Sequence, residues 1–182
     1  MREIALEADL SPGNLYHYFD GKDQILFFCQ DRSLDRMLGA LREARLAGLP
    51  TLDQLRSVLR AHVLCLLDEL EGAAAHLEVE SLPHELRGKI VHKRDRYEKA
   101  LRRLVVAGMG DGTVEPRDAG LVTRAMLGAV NWSARWFRPE GPRSAAMVAD
   151  ALADYLVAGL LRGNTTEALA AGSRGAEARR ER

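Results

Sequence analysis

The chain has 182 residues, 47% of them hydrophobic and 29% charged, and its 26 Lys and Arg are matched by 26 Asp and Glu. That length can bury one good core with at most a small appended unit, and the composition is that of an ordinary globular protein. Zero net charge argues against a nucleic-acid binder that relies on a large basic field. No run reaches the roughly eighteen apolar residues of a membrane span. Arg2, Glu3, Glu7 and Asp9 crowd the start where a signal peptide would be apolar. Cys29 and Cys65 are too few for a disulfide framework, so the expectation is buried, reduced thiols in a cytoplasmic chain with no membrane contact.

The first predicted elements are two short helices. Arg2 to Ala8 forms one; Asp9-Leu10 joins it to a second of seven or eight residues that opens with Ser11 as cap and Pro12 in the first turn. Leu15 and Phe19, four apart, hold this second helix down, while Gly13, Asn14 and His17 fall on its outward face and Tyr16 points to one side. A helix this short is not stable alone, so the fold must hold it out. Two short helices across a tight turn, the second showing small, amide and aromatic side chains, have the layout of a helix-turn-helix that reads the major groove.

Everything after it reads as helix, with no useful strand-like alternation. A long helix runs from Lys22 to about Ala47, with Leu26, Cys29, Met37, Ala40 and Ala44 recurring, and Gly48-Leu49-Pro50 ends it. Thr51 caps the next, with Leu52, Leu55, Leu59, Val63, Leu66 and Leu70 on one face, until Gly72 breaks it. A shorter helix leads to Leu82-Pro83, then a longer one carries the stripe Leu86, Ile90, Tyr97, Leu101 and Leu104. Gly108-Met109-Gly110-Asp111-Gly112 is a loop by composition. The helices of Asp118 to Phe137 and Ser144 to Leu161 are apolar on nearly all sides, which implies burial on both. A hairpin packed against a second copy satisfies this, with Ala145, Ala146, Ala149, Ala151, Ala153, Ala158 and Gly159 allowing close approach; one large monomeric core is the alternative. Beyond Gly163 the Ala, Gly, Arg and Glu tail has no apolar stripe and reads as disordered.

The stretch REIALEADLSPGNLYHYFDGKDQIL resembles the helix-turn-helix core of TetR-type transcriptional regulators, whose pattern is I-A-x-x-A-G-V-S, then L-Y-x-[HY]-F, then a lysine. Ile4, Ala5, Ala8, Ser11, Leu15, Tyr16, Phe19 and Lys22 fall in register. The turn glycine of the pattern is Asp9 here, and Asp is among the few residues that tolerate a left-handed backbone. The family carries a further helix ahead of these two, so the resemblance implies a head whose first helix is missing before Met1 and whose Ile4, Leu15 and Phe19 have lost a partner. It also implies that Ser11, Gly13, Asn14, Tyr16, His17 and Lys22 form the DNA-binding set, with Asn14 and His17 at base edges and Tyr16 and Lys22 on phosphate. For the last two helices it implies a four-helix dimer interface.

Along the apolar helix from Asp118, Arg124, Asn131 and Arg135 lie on one line, with Trp132 and Trp136 beside it. Charge in apolar surroundings is costly unless paired, so this line faces either a shared anionic ligand or a dimer seam; the two Trp are ligand wall or core. A second resemblance bears on the choice. HLEVESLPHELRGKIVHKRDRYE and NWSARWFRPEGP resemble a TetR subgroup of fatty-acid, aromatic and steroid degradation that responds to acyl-CoA thioesters, with Trp132, Arg135, Trp136, Arg138, Pro139 and Gly141 matching its N-W-x-x-R-W-[YF]-R-P-x-G-P stretch. It implies a ligand site of Arg94, Arg124, Asn131, Trp132, Arg135 and Trp136.

Enzyme signatures are lacking: no H-E-x-x-H, Cys-x-x-Cys or phosphate loop occurs. His76, Glu78 and Glu80 alternate, which on a helix sends them to different faces, and Asp68, Glu69 and Glu71 read as a solvated face. The expectation is therefore an all-α regulator without cofactor or metal. Residues 1–46 form the truncated head and connecting helix, 47–163 the ligand-binding and dimerisation body, and 164–182 the tail. Its partners are a double-stranded DNA operator, a small apolar effector (an acyl-CoA by the second resemblance) and a second copy of itself. The rival expectation is a headless dimer that binds effector but not DNA.

Overall fold

The computed structural model describes residues 1–7, 9, 11–67 and 79–161. Among these, seven α-helices and one short 3-10 turn account for nearly all the regular structure: α1 (Arg2–Glu7), α2 (Pro12–Tyr18), α3 (Lys22–Leu46), α4 (Thr51–Leu67), the turn Val79–Ser81, α5 (His84–Gly110), α6 (Ala119–Trp136) and α7 (Ala145–Ala158). The expected continuation of α4 to Leu70 and Gly72, most of the short helix before Leu82, the acidic cluster, His76, Glu78 and the tail lie outside the described residues. No described helix is long and apolar enough to cross a membrane.

The body is built around α4. Leu55, Leu59, Val63 and Leu66 lie on the stripe read from sequence, and Val58, His62, Cys65 and Leu67 are buried as well. A helix buried on more than one face needs several neighbours, and α4 packs against α3, α5, α6 and α7. The α3 helix enters this core through Leu34, Met37 and Ala44, and α5 through Ile90, Tyr97, Leu101 and Val105. Local chemistry sets the boundaries. Gly48, at φ 63°, closes α3 in the left-handed conformation that favours glycine. Asp118 caps α6 by accepting from the Leu121 and Gly120 N–H groups at 3.0 and 2.8 Å, which hold its carboxyl below the usual range. Ser144 caps α7 through the Met147 N–H at 3.2 Å. Arg60 reaches Asp150 at 2.8 Å, and Arg56 bridges Asp150 and Asp154, tying α4 to α7 across the surface.

One expected loop is partly helix. The α5 helix runs through Gly108 and Gly110, and the turn begins only at Asp111, whose carboxylate accepts from Thr51 and Thr113 at 2.6 Å. The glycines that suggested a loop serve packing instead. A Cβ on Gly108 would lie 2.5 Å from Val114 Cγ2, so the bare backbone lets the chain fold back on the helix, with the Val114 N–H donating to the Gly108 carbonyl at 2.8 Å. From there Glu115 N–H reaches the Leu160 carbonyl at 2.9 Å, a short antiparallel bridge just past α7.

The α6–α7 hairpin is buried on one side only within this chain. Ala145, Ala149 and Ala153 face the core, whereas Leu121, Trp132, Trp136, Met147 and Tyr155 are exposed, Leu121 by 67% and Tyr155 by 78%. Large apolar side chains turned outward on both helices are of the kind that marks an association surface.

The two kinds of glycine separate experimentally. Gly108→Ala is expected to destabilise the fold by about 1–3 kcal/mol through overpacking against Val114. Gly39→Ala, in α3 with open space where its Cβ would stand, should stabilise it by about 0.5–1 kcal/mol. Urea unfolding of both variants checks the opposite signs.

Candidate functional site

Two features stand out, one beside the start of α3 and one against its middle. The first is the outward face of α2. Ser11 accepts from the Asn14 N–H at 3.2 Å, so its hydroxyl is engaged as the cap. Asp9 adopts φ 52°, the left-handed turn expected where the family pattern has glycine. Leu15 is buried and Phe19 sets its ring edge-on to Phe28 of α3, 5.5 Å between centroids. Ala5 of α1 is buried as well. Ile4 does stay 36% exposed, and Leu6 81%. Gly13, Asn14, Tyr16, His17 and Lys22 are all exposed, Lys22 being the first residue of α3. The short helix thus presents an amide, an imidazole and a phenol, with an ammonium group at the start of the next helix.

The second feature is a cavity of about 350 Å³ enclosed by α3, α4, α5 and α6. Its deep end consists of Leu34 and Met37 of α3, His62 and Leu66 of α4 and Tyr97 of α5, all buried. The Tyr97 hydroxyl lies 3.1 Å from His62 Nδ1, with the two rings edge to face. Burial pushes the Tyr97 phenol well up, so it stays protonated. The mouth carries Arg94, Asp95, Glu98 and Asn131, with Leu127 and Ala134 on the α6 side. Burial lowers the Arg94 pKa from its ordinary value, while Glu80 acts in the opposite direction.

Of the ligand residues expected from sequence, Arg94 and Asn131 line this cavity. Arg124, Trp132, Arg135 and Trp136 lie elsewhere on α6, outside the lining. Helical phase explains the split. Neighbours on a helix differ by about 100°, so the cavity stripe of Leu127, Asn131 and Ala134 leaves Trp132 and Trp136 on the outer face, 64% and 45% exposed, with Leu121. Arg124 lies 4.0 Å from Glu98 of the mouth. Sequence reasoning missed His62, Tyr97 as a polar group, and Met37 and Leu34 as cavity walls. His62 did leave a signal: it is a polar residue within the apolar stripe of α4. Of the cysteines, Cys65 is buried with its thiol 3.7 Å from the Ser33 carbonyl, whereas Cys29 is only half-buried. No cluster of metal-ligating side chains occurs among the described residues.

Between the two features, α3 is pinned to α5. Lys93 Nζ lies 2.5 Å from Asp31 and 2.9 Å from Asp35, and Lys89 stands over the Phe27 ring at 5.9 Å. Burial alone would lower Lys93, but its hydrogen bonds to Asp31 and Asp35 leave it above its ordinary 10.5. The clamp sits one residue from Arg94 at the cavity mouth.

Comparisons with known proteins agree on one family. The family model described as "Bacterial regulatory proteins, tetR family" matches residues 1–27, and the "Tetracyclin repressor-like, C-terminal domain" model matches residues 48–160. An HTH-type transcriptional repressor, KstR2 of Rhodococcus jostii strain RHA1, is 27% identical over 169 residues, 88% of this chain and 80% of its own. The crystal structure of PfmR, a TetR family transcriptional regulator from Thermus thermophilus, superposes with a TM-score of 0.76 at 33% identity, covering 88% of each chain. AibR, crystallised with isovaleryl coenzyme A and operator DNA, shares the fold at a TM-score of 0.68 and 23% identity over 88% of this chain and 85% of its own.

The clamp has a measurable signature. A double-mutant cycle should give a coupling of about 1 kcal/mol for Lys93–Asp31 and less for Lys93–Asp35, because the Asp35 side chain is 62% exposed and better screened. A raised lysine pKa stabilises the fold fully below the unfolded value and loses that contribution as pH rises through the folded one. On the alkaline side the coupling should therefore hold at neutral pH and fade only in strong alkali, read by denaturant unfolding from neutral pH upward.

Proposed function

Because the chain belongs to the TetR family of bacterial regulatory proteins, we propose that it is a homodimeric repressor released from its operator by a small apolar effector. As a member it is a DNA-binding transcriptional regulator and not an enzyme. The observation that carries the finer reading is that one helix serves both features. Lys22 at the start of α3 adjoins the outward face of α2, and Leu34 and Met37 of the same helix wall the cavity. A ligand that favours one tilt of α3 therefore favours one placement of the head, which is a population shift rather than a mechanical push. Coupling of this kind is usually about 1–3 kcal/mol.

In this reading Asn14 and His17 meet base edges, Gly13 permits close approach, Ser11 fixes the first turn, and Tyr16 and Lys22 hold phosphate. Two copies pair through the outer faces of α6 and α7, where Leu121, Trp132, Trp136, Met147 and Tyr155 exchange water for one another. Trp132 and Trp136 thus serve assembly. The effector is an acyl-CoA: support comes from the acyl-CoA held by AibR, a relative in fold, and from the cavity itself. About 350 Å³ admits an acyl group but not the whole thioester, so the nucleotide portion would stay at the mouth by Arg94 and Asn131, with Arg124 beside Glu98 of that mouth as a further cation for its phosphates.

For DNA, the expected outcome is that Lys22→Ala weakens binding to all sequences alike and reduces the salt slope by about one, whereas Asn14→Ala changes the preference between operators. Salt-dependent fluorescence anisotropy on a selected operator checks both. For the effector, decanoyl-CoA should release the bound operator and raise the melting temperature, by about 2.7 kcal/mol of added stability at a hundredfold excess over its dissociation constant. Free CoA and decanoate should each do less. Binding of decanoyl-CoA by a chain that retains no operator under any salt would favour the effector-binding dimer that does not act on DNA.

A further inference from the structure

The deep end of the cavity is apolar except for one pair. Leu34, Met37 and Leu66 are each no more than 2% exposed, and between them His62 and Tyr97, each 3% exposed, share a hydrogen bond of 3.1 Å. A phenol gives one hydrogen bond and accepts others. Among the described residues the Tyr97 hydroxyl makes one, to His62 Nδ1, leaving either its proton or its oxygen to face the cavity. Which of them is left depends on the imidazole. If the His62 N–H donates to the phenol oxygen, the phenol proton points to the ligand; if the phenol donates to Nδ1, its oxygen is left to accept. Burial keeps the phenol neutral in both arrangements. Purely apolar cargo would leave this group, already out of water, with unmet hydrogen-bonding capacity at a free-energy cost.

Resting on the cavity's reading as an effector site, we propose that Tyr97, accepting from the His62 N–H and turning its own proton to the cavity, is its specificity-determining contact and selects effectors whose carbonyl or hydroxyl oxygen accepts that proton at the buried end of an otherwise apolar body. Leu34, Met37 and Leu66 supply bulk affinity for hydrocarbon, and the pair discriminates by oxygen. Charged parts of the ligand remain at the mouth, because Arg94, Asp95 and Glu98 are there and, among the described residues, no charged group lines the deep end.

The test uses two probes of nearly equal shape, α-tetralone and tetralin, with the full chain and no DNA. Titration by calorimetry should show α-tetralone binding about tenfold more tightly, the ratio expected of one neutral hydrogen bond. In Tyr97→Phe the ratio should fall to near one while tetralin affinity is unchanged, which shows the cavity still formed. A second measurement needs no variant: the carbonyl of carbon-13-labelled α-tetralone should resonate downfield of its position in cyclohexane once bound. Equal binding of the two probes, binding of neither, a ratio that survives Tyr97→Phe, or no downfield shift overturns the proposal. Since no DNA enters the assay, a failure of effector-driven operator release would leave its outcome intact, and the two readings fail separately.

Discussion

The constraint on which the rest depends is the packing of α3 into the body. Leu34 and Met37 are almost fully buried against α4 and α5, and each such side chain contributes about 1.5–3 kcal/mol on leaving water. That burial fixes the axis of a helix whose first turns also carry α2, through Phe28 against Phe19. Lys93 adds a polar constraint a turn away, holding Asp31 and Asp35 together. Without these contacts the short recognition unit would have no fixed relation to the body, since a helix of seven residues cannot hold itself. Cavity and clamp both bear on the same stretch of α3, so the walls of the one and the anchor of the other lie on neighbouring turns of a single helix.

A chain of zero net charge that nonetheless reads DNA places local arrangement above overall field. Asp20 and Asp23 flank Lys22, and the head holds more carboxylates than cations. Such a surface attracts DNA weakly at long range and depends on short contacts made in register. Selectivity between sequences is then less diluted by nonspecific phosphate binding, which is the electrostatic, sequence-independent part of affinity.

The helix-turn-helix was legible because capping, spacing and aromatic positions coincide within a short segment: Ser11, Leu15 and Phe19 each act locally. The stripe of α4 was equally legible, because three or four residues of separation map onto one face. What the sequence concealed depends on contacts between distant residues. Gly108 looked like a loop because its partner, Val114, folds back from beyond the helix end. Trp132 and Trp136 were ambiguous because a helix apolar all round has no phase to show which face meets the chain's own core. His62 and Tyr97 stand 35 residues apart, and only the crossing of α4 with α5 brings them within bonding distance.

The run from Lys22 to Leu38 contains neither glycine nor proline, the residues that most often soften or kink a helix. Met37, at the cavity, and Lys22, at the start of α3, are therefore separated by a stiff arm of about 22 Å at 1.5 Å per residue. A rotation of only about 5° at the cavity end would carry the lysine roughly 2 Å sideways, the scale on which a hydrogen bond is lost. The first glycine, Gly39, lies just behind the cavity wall, so compliance begins on the far side of the pivot. Leverage of this kind would carry a displacement of a fraction of an ångström at the cavity to the start of α3 as a larger movement.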